Sequence, residues 1–211
     1  IFTFYTVVFC NIIGLGCALA IKRSTKFNNF IRMLIFMPFT ISLLLSSYMW
    51  RYVFSDVLYQ IFGIISPLGN KSTVMFGISL IAIWRLSGYC MVVFIAALQG
   101  IPSELYESAQ IEGAGKLTVF RKITLPLIIP AFTANITLLI AWGMKVFDYP
   151  MAATGGGPGF SSMTLAMLIY YNLFQYNKAG YGQAIAIVFT IIIFIFSTSI
   201  SRLLRKSEVE L

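Results

Sequence analysis

The chain has 211 residues, of which 59% are hydrophobic, 10% are charged and none is histidine. Soluble globular domains carry about 25% charged residues, so this chain has too few charges to cover a water-exposed surface. Disordered proteins are excluded as well, because they combine low hydrophobicity with high charge. The composition indicates a membrane protein with several spans. The lack of histidine excludes histidine-based metal sites and Ser-His or Cys-His catalysis.

Five apolar segments are long enough to cross a bilayer, which takes about 20 residues of helix. They carry no charge except Arg85, and we expect Pro38 to kink the second one. The predicted spans cover residues 1–21, 33–50, 74–98, 125–144 and 179–201. A sixth apolar segment, 163–176, is too short to cross, and its tyrosines suit an interfacial or re-entrant helix.

The net charge of +8 is distributed unevenly between the loops. Ten lysines and arginines follow the first, third and fifth spans, the last of them Lys206, whereas four follow the second and fourth. Lysine and arginine accumulate in cytoplasmic loops of membrane proteins. The charge pattern therefore predicts a chain that begins outside the cell and ends in the cytoplasm.

The segment between the third and fourth spans, LQGIPSELYESAQIEGAGKLTVFRKITLPLIIP, is long for a connector. We expect a helix with Ser103 as its N-cap and Glu104 in its first turn, ending at Gly113 and Gly115. A second short helix is expected over 116–124. Amphipathic helices of this kind dock on a partner or rest on lipid headgroups, and the residue pattern alone fits both.

The same segment resembles the EAA loop of permease subunits of binding-protein-dependent ABC importers. That pattern is Glu-Ala-Ala, three residues, glycine, nine residues, and then Ile-x-Leu-Pro. The chain keeps every spacing, and its one departure is a serine in place of an alanine. The resemblance implies that the matching residues couple the chain to ATPase subunits; they are Glu107, Ser108, Ala109, Gly113, Ile123, Leu125 and Pro126.

The resemblance covers nearly the whole chain and narrows to carbohydrate importers of the maltose, lactose and glycerol-3-phosphate type. The matching segments are FIRMLIFMPFTIS, FDYPMAATGGGPGFSSMTLAMLIYYNLF and GYGQAIAIV. It implies an all-α, polytopic membrane helical bundle with cytoplasmic coupling helices. We expect one transmembrane domain over 1–211, a coupling loop at 99–125, and an extracytoplasmic loop with an interfacial helix at 148–178. The family core has six spans and five are visible, so we expect the first span to be missing here.

The resemblance also implies an assembly in a bacterial cytoplasmic membrane. Two permease subunits, usually different ones in carbohydrate importers, form the pathway, and two ATPase subunits bind ATP and Mg²⁺ and hydrolyse the ATP. An extracytoplasmic binding protein delivers a sugar, so this chain would be no enzyme and would hold no cofactor or metal of its own. A glycine-rich run is either a flexible turn or a contact for the binding protein, and we favour the contact; it comprises Gly155, Gly156, Gly157 and Pro158.

Arg85 is the strongest candidate for the substrate pathway. A charge at the centre of a span costs roughly 2.5–3.5 kcal/mol, so it faces a cavity or a partner. Two interpretations stay open: Arg85 lines the pathway, or it is a structural arginine bonded to backbone carbonyls or to a carboxylate of the second permease. The pathway candidates are Arg85, Trp84, Tyr89, Asn135, Asp148 and Tyr149, with Trp84 suited to stacking on a sugar and Asn135 also suited to bonding between helices.

Other functions remain alternatives. An ion-coupled secondary transporter would need carboxylates within its spans, whereas every aspartate and glutamate here lies in a loop or at a span end. An intramembrane enzyme would need a catalytic dyad that the sequence does not offer. An ABC importer for phosphate, amino acids or polyamines also stays an alternative, and only the resemblance of residues 147–174 to carbohydrate permeases argues against it.

Overall fold

The computed structural model describes residues 1–205, which fold into helices joined by short loops, with no strand among them. Lys206, the last of the cations that follow the fifth span, lies outside this range. The helices are α1 Phe2–Ala20, α2 Lys26–Thr40, α3 Leu43–Phe62, α4 Val74–Gln99, α5 Ser103–Ile111, α6 Lys116–Leu127, α7 Ile129–Met144, α8 Asp148–Thr154, α9 Leu165–Tyr170 and α10 Ala179–Arg205. Two of them, α3 and α6, contain a π-helical turn, and a third such turn, Tyr171–Gln175, extends α9.

Three helices, α1, α4 and α10, are long and apolar enough to cross a membrane without a break, which confirms the first, third and fifth predicted spans. The other two predicted spans are interrupted. The axes of α2 and α3 differ by 97°, and those of α6 and α7 differ by 56°. The described residues therefore contain five spans if each bent pair counts as one.

The prediction of one kinked helix over 33–50 was wrong, because the chain breaks completely at Ile41 and Ser42. Pro38 lies inside α2, which stays helical to Thr40, and its missing N–H affects the turn before it rather than residues 41 and 42. The Ile41 N–H turns back to the Pro38 carbonyl at 3.2 Å, and both Ile41 and Ser42 then adopt extended backbone. The helix therefore restarts as α3 in a different direction.

Arg85 on α4 supplies hydrogen-bond donors to the carbonyls at the C-terminal end of α2. The last carbonyls of a helix have no partner within the helix, and the interior of a membrane supplies no water in their place. The Arg85 guanidinium donates from Nε to the Ile41 carbonyl and from Nη2 to the Phe39 carbonyl, each at 2.9 Å. Its positive charge also faces the negative end of the α2 dipole. The structure therefore contains the arginine bonded to backbone carbonyls, one of the two arrangements considered from the sequence.

A second arginine does the same for α1. The Arg32 guanidinium, on α2, donates to the carbonyls of Ile21, Lys22 and Arg23 over 2.7–3.3 Å. These carbonyls belong to the C-terminal end of α1 and the turn that follows it. The helix α2 therefore caps one neighbour through Arg32 and is capped by another through Arg85.

The loops gather at two ends of the bundle, as the alternation of charge predicts. At one end, which we call the basic end, the Lys22 ammonium lies 5.8 Å from the centroid of the Tyr106 ring, so the α1–α2 loop adjoins α5. At the other, which we call the glycine-rich end, Arg51 of α3 shares a cavity with Thr154, at the end of α8, and with Pro158 of the loop that follows. The first connection and the coupling loop thus lie on one side, and the two connections expected outside lie on the other.

The helix α4 forms the centre of the bundle and packs against α1, α2 and α7. Glycines let these helices approach closely, as is usual between helices in membranes. A Cβ at Gly14 of α1 would lie 2.7 Å from Cys90 Cβ, and one at Gly143 of α7 would lie 2.8 Å from Thr3 Cγ2. The closest approach is at Gly88 of α4, against the backbone of α2.

We predict that Gly88→Ala destabilises the protein by about 1–3 kcal/mol, the usual cost of overpacking a tight interface. A Cβ at Gly88 would meet the Ile35 carbonyl oxygen and lie 2.8 Å from Phe36 Cα, and backbone atoms cannot rotate away. Thermal unfolding in detergent measures the effect. The matched control is Gly16→Ala in α1, where nothing lies within 4 Å of the added carbon. Equal melting temperatures for the two variants would contradict the close packing of α2 on α4.

We also predict that Arg85→Lys costs about 1–3 kcal/mol in stability, although it keeps the charge. A lysine ammonium lacks the planar fork that lets one guanidinium donate to two carbonyls at once. The same change at the exposed Arg51 is the control, and both are compared by thermal unfolding. If Arg85→Lys and the control have the same melting temperature, the bonds from Arg85 to the carbonyls do not stabilise the broken span.

Candidate functional site

A cavity of about 380 Å³ opens where the break in α2, the middle of α4 and the corner between α7 and α8 meet. The corner exists because the backbone leaves helical geometry at Lys145 and Phe147. The wall combines aromatic rings with a few charged groups, as is common in sites for small molecules. It is lined by Phe39, Leu43, Arg85, Leu86, Trp142, Lys145, Val146, Phe147, Asp148 and Tyr149.

The aromatic rings of the wall support one another. Phe39 stacks on Tyr89 with ring centroids 5.3 Å apart, and Tyr89 in turn lies 5.7 Å from Trp142. The Arg85 guanidinium carbon lies 5.1 Å from the Phe39 centroid. Trp142 keeps 39% of its surface exposed, so it offers a ring to the cavity that is held from behind by Tyr89.

The polar groups of the cavity are two cations, Arg85 and Lys145, one carboxylate, Asp148, and the Tyr149 hydroxyl. Tyr149 is only 5% exposed, and its hydroxyl makes no hydrogen bond of good geometry within the part of the chain described, although the Arg85 guanidinium lies near it. A buried hydroxyl without a partner is costly unless a ligand or water supplies one. Rings for stacking next to donors and acceptors give the cavity the means to bind a hydroxylated solute.

The structure brings half of the predicted pathway residues to the cavity: Arg85, Asp148 and Tyr149. Trp84 packs edge-on against Trp50 instead, with centroids 5.6 Å apart. Tyr89 lies behind the wall, between Phe39 and Trp142. Asn135 is fully buried, and its amide lies 3.5 Å from the Cys90 carbonyl, which is the helix-to-helix interaction considered from the sequence.

Two aromatic residues of the cavity, Trp142 and Phe39, were not predicted from the sequence. Helical spacing is no signal for Trp142, because α7 ends at Met144 and the corner after it, rather than a continuing helix face, brings Trp142 beside Tyr149. Phe39 had no local signal either, because it reaches the cavity only through the break in α2.

The segment expected to couple to ATPase subunits lies at the basic end. Helix α5 begins at Ser103, one residue earlier than predicted: the N-cap position is Pro102, and the Ser103 side chain makes no capping bond. Pro102 has extended backbone, and its fixed φ ends the preceding turn. Gly113 follows α5 with a φ of +73°, a left-handed conformation that favours glycine.

Helices α5 and α6 are tied together but leave one surface open. The Tyr106 hydroxyl lies 3.2 Å from Thr124 Oγ1, which joins the two helices. Ala109 is buried, whereas Glu107 and Ser108 are exposed. Ile111 is 88% exposed and Leu117 is 63% exposed. We call this open surface, formed by Glu107, Ser108, Ile111 and Leu117, the coupling surface.

The glycine-rich run at the other end forms a loop with internal hydrogen bonds. Ser162 Oγ donates to the Gly157 carbonyl at 2.7 Å, and the Tyr171 hydroxyl donates to the Gly155 carbonyl at 3.1 Å. Gly155 and Gly156 have positive φ, at 61° and 92°. Gly157 and Pro158 border the second cavity, of about 410 Å³, together with Arg51.

Known proteins resemble the chain over nearly its whole length. It is 31% identical to the probable starch degradation products transport system permease protein AmyD of Thermoanaerobacterium thermosulfurigenes, over 97% of this chain and 72% of AmyD. It is 32% identical to the sulfoquinovosyl glycerol transport system permease protein SmoG of Agrobacterium fabrum, over 88% of this chain and 63% of SmoG. It is 30% identical to the trehalose/maltose transport system permease protein MalF of Thermococcus litoralis, over 93% of this chain and 69% of MalF. The chain thus spans about two thirds of the length of these relatives.

The fold matches that of solved transporters. A bacterial ABC transporter involved in the import of alginate superposes with a TM-score of 0.84 at 19% identity, over 97% of this chain and 76% of that one. The model of the family described as binding-protein-dependent transport system inner membrane component matches residues 11–208. The chain therefore belongs to the family of binding-protein-dependent transport system inner membrane components.

Proposed function

We propose that the chain is a permease subunit of an ATP-driven importer that takes a sugar or oligosaccharide from an extracytoplasmic binding protein into the cytoplasm by alternating access. One observation carries the proposal: a ring-lined polar cavity and an exposed surface with the EAA spacing lie in one chain, joined by α4. The cavity would hold the solute, and the coupling surface would receive the motion of the ATPases.

A carbohydrate cargo is supported by the relatives and by the cavity. AmyD and MalF are named for starch degradation products and for trehalose and maltose. Rings such as Trp142 stack on the apolar faces of sugars, and groups such as Asp148 and the Tyr149 hydroxyl bond to sugar hydroxyls. A non-sugar solute remains the second candidate, because Arg85 and Lys145 outnumber the single carboxylate and would also suit an anion.

The orientation that we propose places the basic end in the cytoplasm of a bacterium and the glycine-rich end outside, with the C-terminus cytoplasmic. The positive-inside bias supports this orientation. In this orientation the loop containing Gly157 and Pro158 faces the binding protein, and the coupling surface faces the ATPases. The binding protein is supported by the family to which the chain belongs.

Two ATPase subunits and a second permease subunit complete the proposed importer. Exposed apolar residues beside Glu107, such as Ile111 and Leu117, support docking on a protein cleft. The exposure of Lys145 and of much of Trp142 supports a pathway that a second subunit completes. ATP and Mg²⁺ would be bound by the ATPases, and this chain would contribute no catalytic residue.

We predict that Trp142→Leu raises the KM for sugar uptake by about three- to tenfold, through the loss of a stacking ring. The measurement is ATP-driven uptake of maltose and trehalose by proteoliposomes that contain the complete importer. The control is Trp84→Leu, which also removes an indole ring. Because Trp84 packs against Trp50 and does not line the cavity, this variant should leave KM unchanged. Equal KM values for the two variants would show that the sugar does not bind in this cavity.

We predict that Gly113→Ala reduces the amount of ATPase that co-purifies with the permease by about tenfold. An alanine in the left-handed conformation costs about 1–2 kcal/mol, so the chain would relax and shift α5 against α6. Gly115→Ala is the control, since Gly115 has a φ of −71° and nothing within 4 Å of an added Cβ.

The wild-type result of the same experiment tests the proposed function. If no ATPase co-purifies with the folded wild-type chain, or if uptake follows an ion gradient without ATP, the importer proposal fails in favour of a secondary transporter. If ATPase binds and ATP drives uptake of a solute other than a sugar, only the proposed cargo is wrong.

A further inference from the structure

A polar cleft of about 350 Å³ lies between α7 and α10, away from the cavity and from the coupling surface. Its lining consists of hydroxyl and guanidinium side chains alone: Thr137, Ser197, Thr198, Ser201, Arg202 and Arg205. The five residues from α10 recur at intervals of three or four and form one stripe along the helix. A positive-inside bias requires arginines at this end but does not require a stripe of hydroxyls facing the neighbouring helix.

Thr137 contributes a buried hydroxyl to the lining of this cleft. Thr133 and Thr190 donate their hydroxyls to the carbonyl four residues earlier, at 3.3 and 2.8 Å. The Thr137 hydroxyl oxygen is buried and makes no such bond, nor any other to a residue in the range 1–205. A buried hydroxyl without a partner lowers stability until a donor or acceptor enters the cleft.

A second, apolar cleft of about 390 Å³ lies next to the polar cleft along the line where α7 meets α10. We call this line the α7–α10 seam. The apolar cleft is lined by Ile140 and Met144 of α7 and by Phe196 of α10, with residues of α1 on its far side. Ile140 lies one turn from Thr137, and Phe196 directly precedes Ser197. Along α7 the seam runs from Met144 toward Ile129, so the polar cleft is the part nearer the basic end. A polar pocket with two cations that passes into an apolar groove matches a lipid, with a charged headgroup and an acyl chain.

We propose that the α7–α10 seam binds an anionic phospholipid of the leaflet at the basic end. Arg202 and Arg205 donate to the phosphate, since guanidinium groups bind phosphate in a bidentate manner. The Thr137 and Ser201 hydroxyls bond to the glycerol and ester oxygens, and one acyl chain lies along Ile140 and Phe196. Basic pockets between membrane helices on the cytoplasmic side are suited to such headgroups.

The test is native mass spectrometry of the purified full-length protein, titrated with dioleoyl phosphatidylglycerol, dioleoyl phosphatidylcholine and inorganic phosphate. The wild type should bind one phosphatidylglycerol selectively. Arg202→Gln with Arg205→Gln should weaken that binding about thirtyfold, the loss expected for two arginines beside an anionic headgroup. Arg23→Gln with Lys26→Gln, which removes two exposed charges from the same end of the bundle, is the matched control and should leave the affinity unchanged.

A third variant keeps the test independent of the arginines. Thr137→Val is nearly isosteric and should weaken phosphatidylglycerol about fivefold, even if the arginine variant fails to fold. The proposal is overturned if both charge pairs weaken binding equally, since surface charge alone would then explain it. It is also overturned if phosphatidylcholine binds as tightly, or if inorganic phosphate displaces the lipid, which would indicate a site for a free anion.

Discussion

A helix that stops inside a membrane leaves carbonyls that neither water nor the next turn can satisfy, and this constraint is met here by Arg85. A charge in a span costs roughly 2.5–3.5 kcal/mol, whereas each hydrogen bond from a charged donor contributes about 1.5–3 kcal/mol. The two bonds to Phe39 and Ile41 are therefore sufficient to offset the cost of the charge. The break in the span is tolerated because Arg85 bonds to the carbonyls that it leaves, and the charge of Arg85 is tolerated because the break supplies those carbonyls.

The cavity follows from the same break. At the break, α3 departs from α2 at 97° and leaves space beside α4. If the helix continued straight, its side chains would fill that space. Phe39, at the end of α2, then faces the corner after α7, where Trp142 lies. Arg85 thus holds the backbone of the wall while its guanidinium also borders the cavity. The structural arginine and the cavity arginine, which the sequence presented as alternatives, are one arrangement.

The features predictable from the sequence depend on local pattern, and those that were missed depend on distant partners. Apolar length was enough for α1, α4 and α10, and the glycine at position 113 was enough for the end of α5. The full break at Ile41 was not predictable from Pro38, because it depends on a hydrogen-bond donor, Arg85, that lies 44 residues further along the chain. Trp84 was chosen as a neighbour of Arg85 in sequence, yet adjacent residues on a helix point about 100° apart, and Trp84 faces Trp50.

The two arginine caps also suggest how the ends of the bundle act together under the proposed function. At the basic end, Tyr106 of α5 contacts both Thr124 of α6 and Lys22, whose carbonyl is bound by Arg32 of α2. A displacement of α5 by an ATPase would therefore be passed to the α1–α2 loop and on to α2. Because the far end of α2 is bound to Arg85, a shift of α2 would then act on the cavity wall. Gln99 and Arg85 are about 21 Å apart along α4, and the hydrogen bonds of Arg32 and Arg85 make α2 a second connection between the two ends.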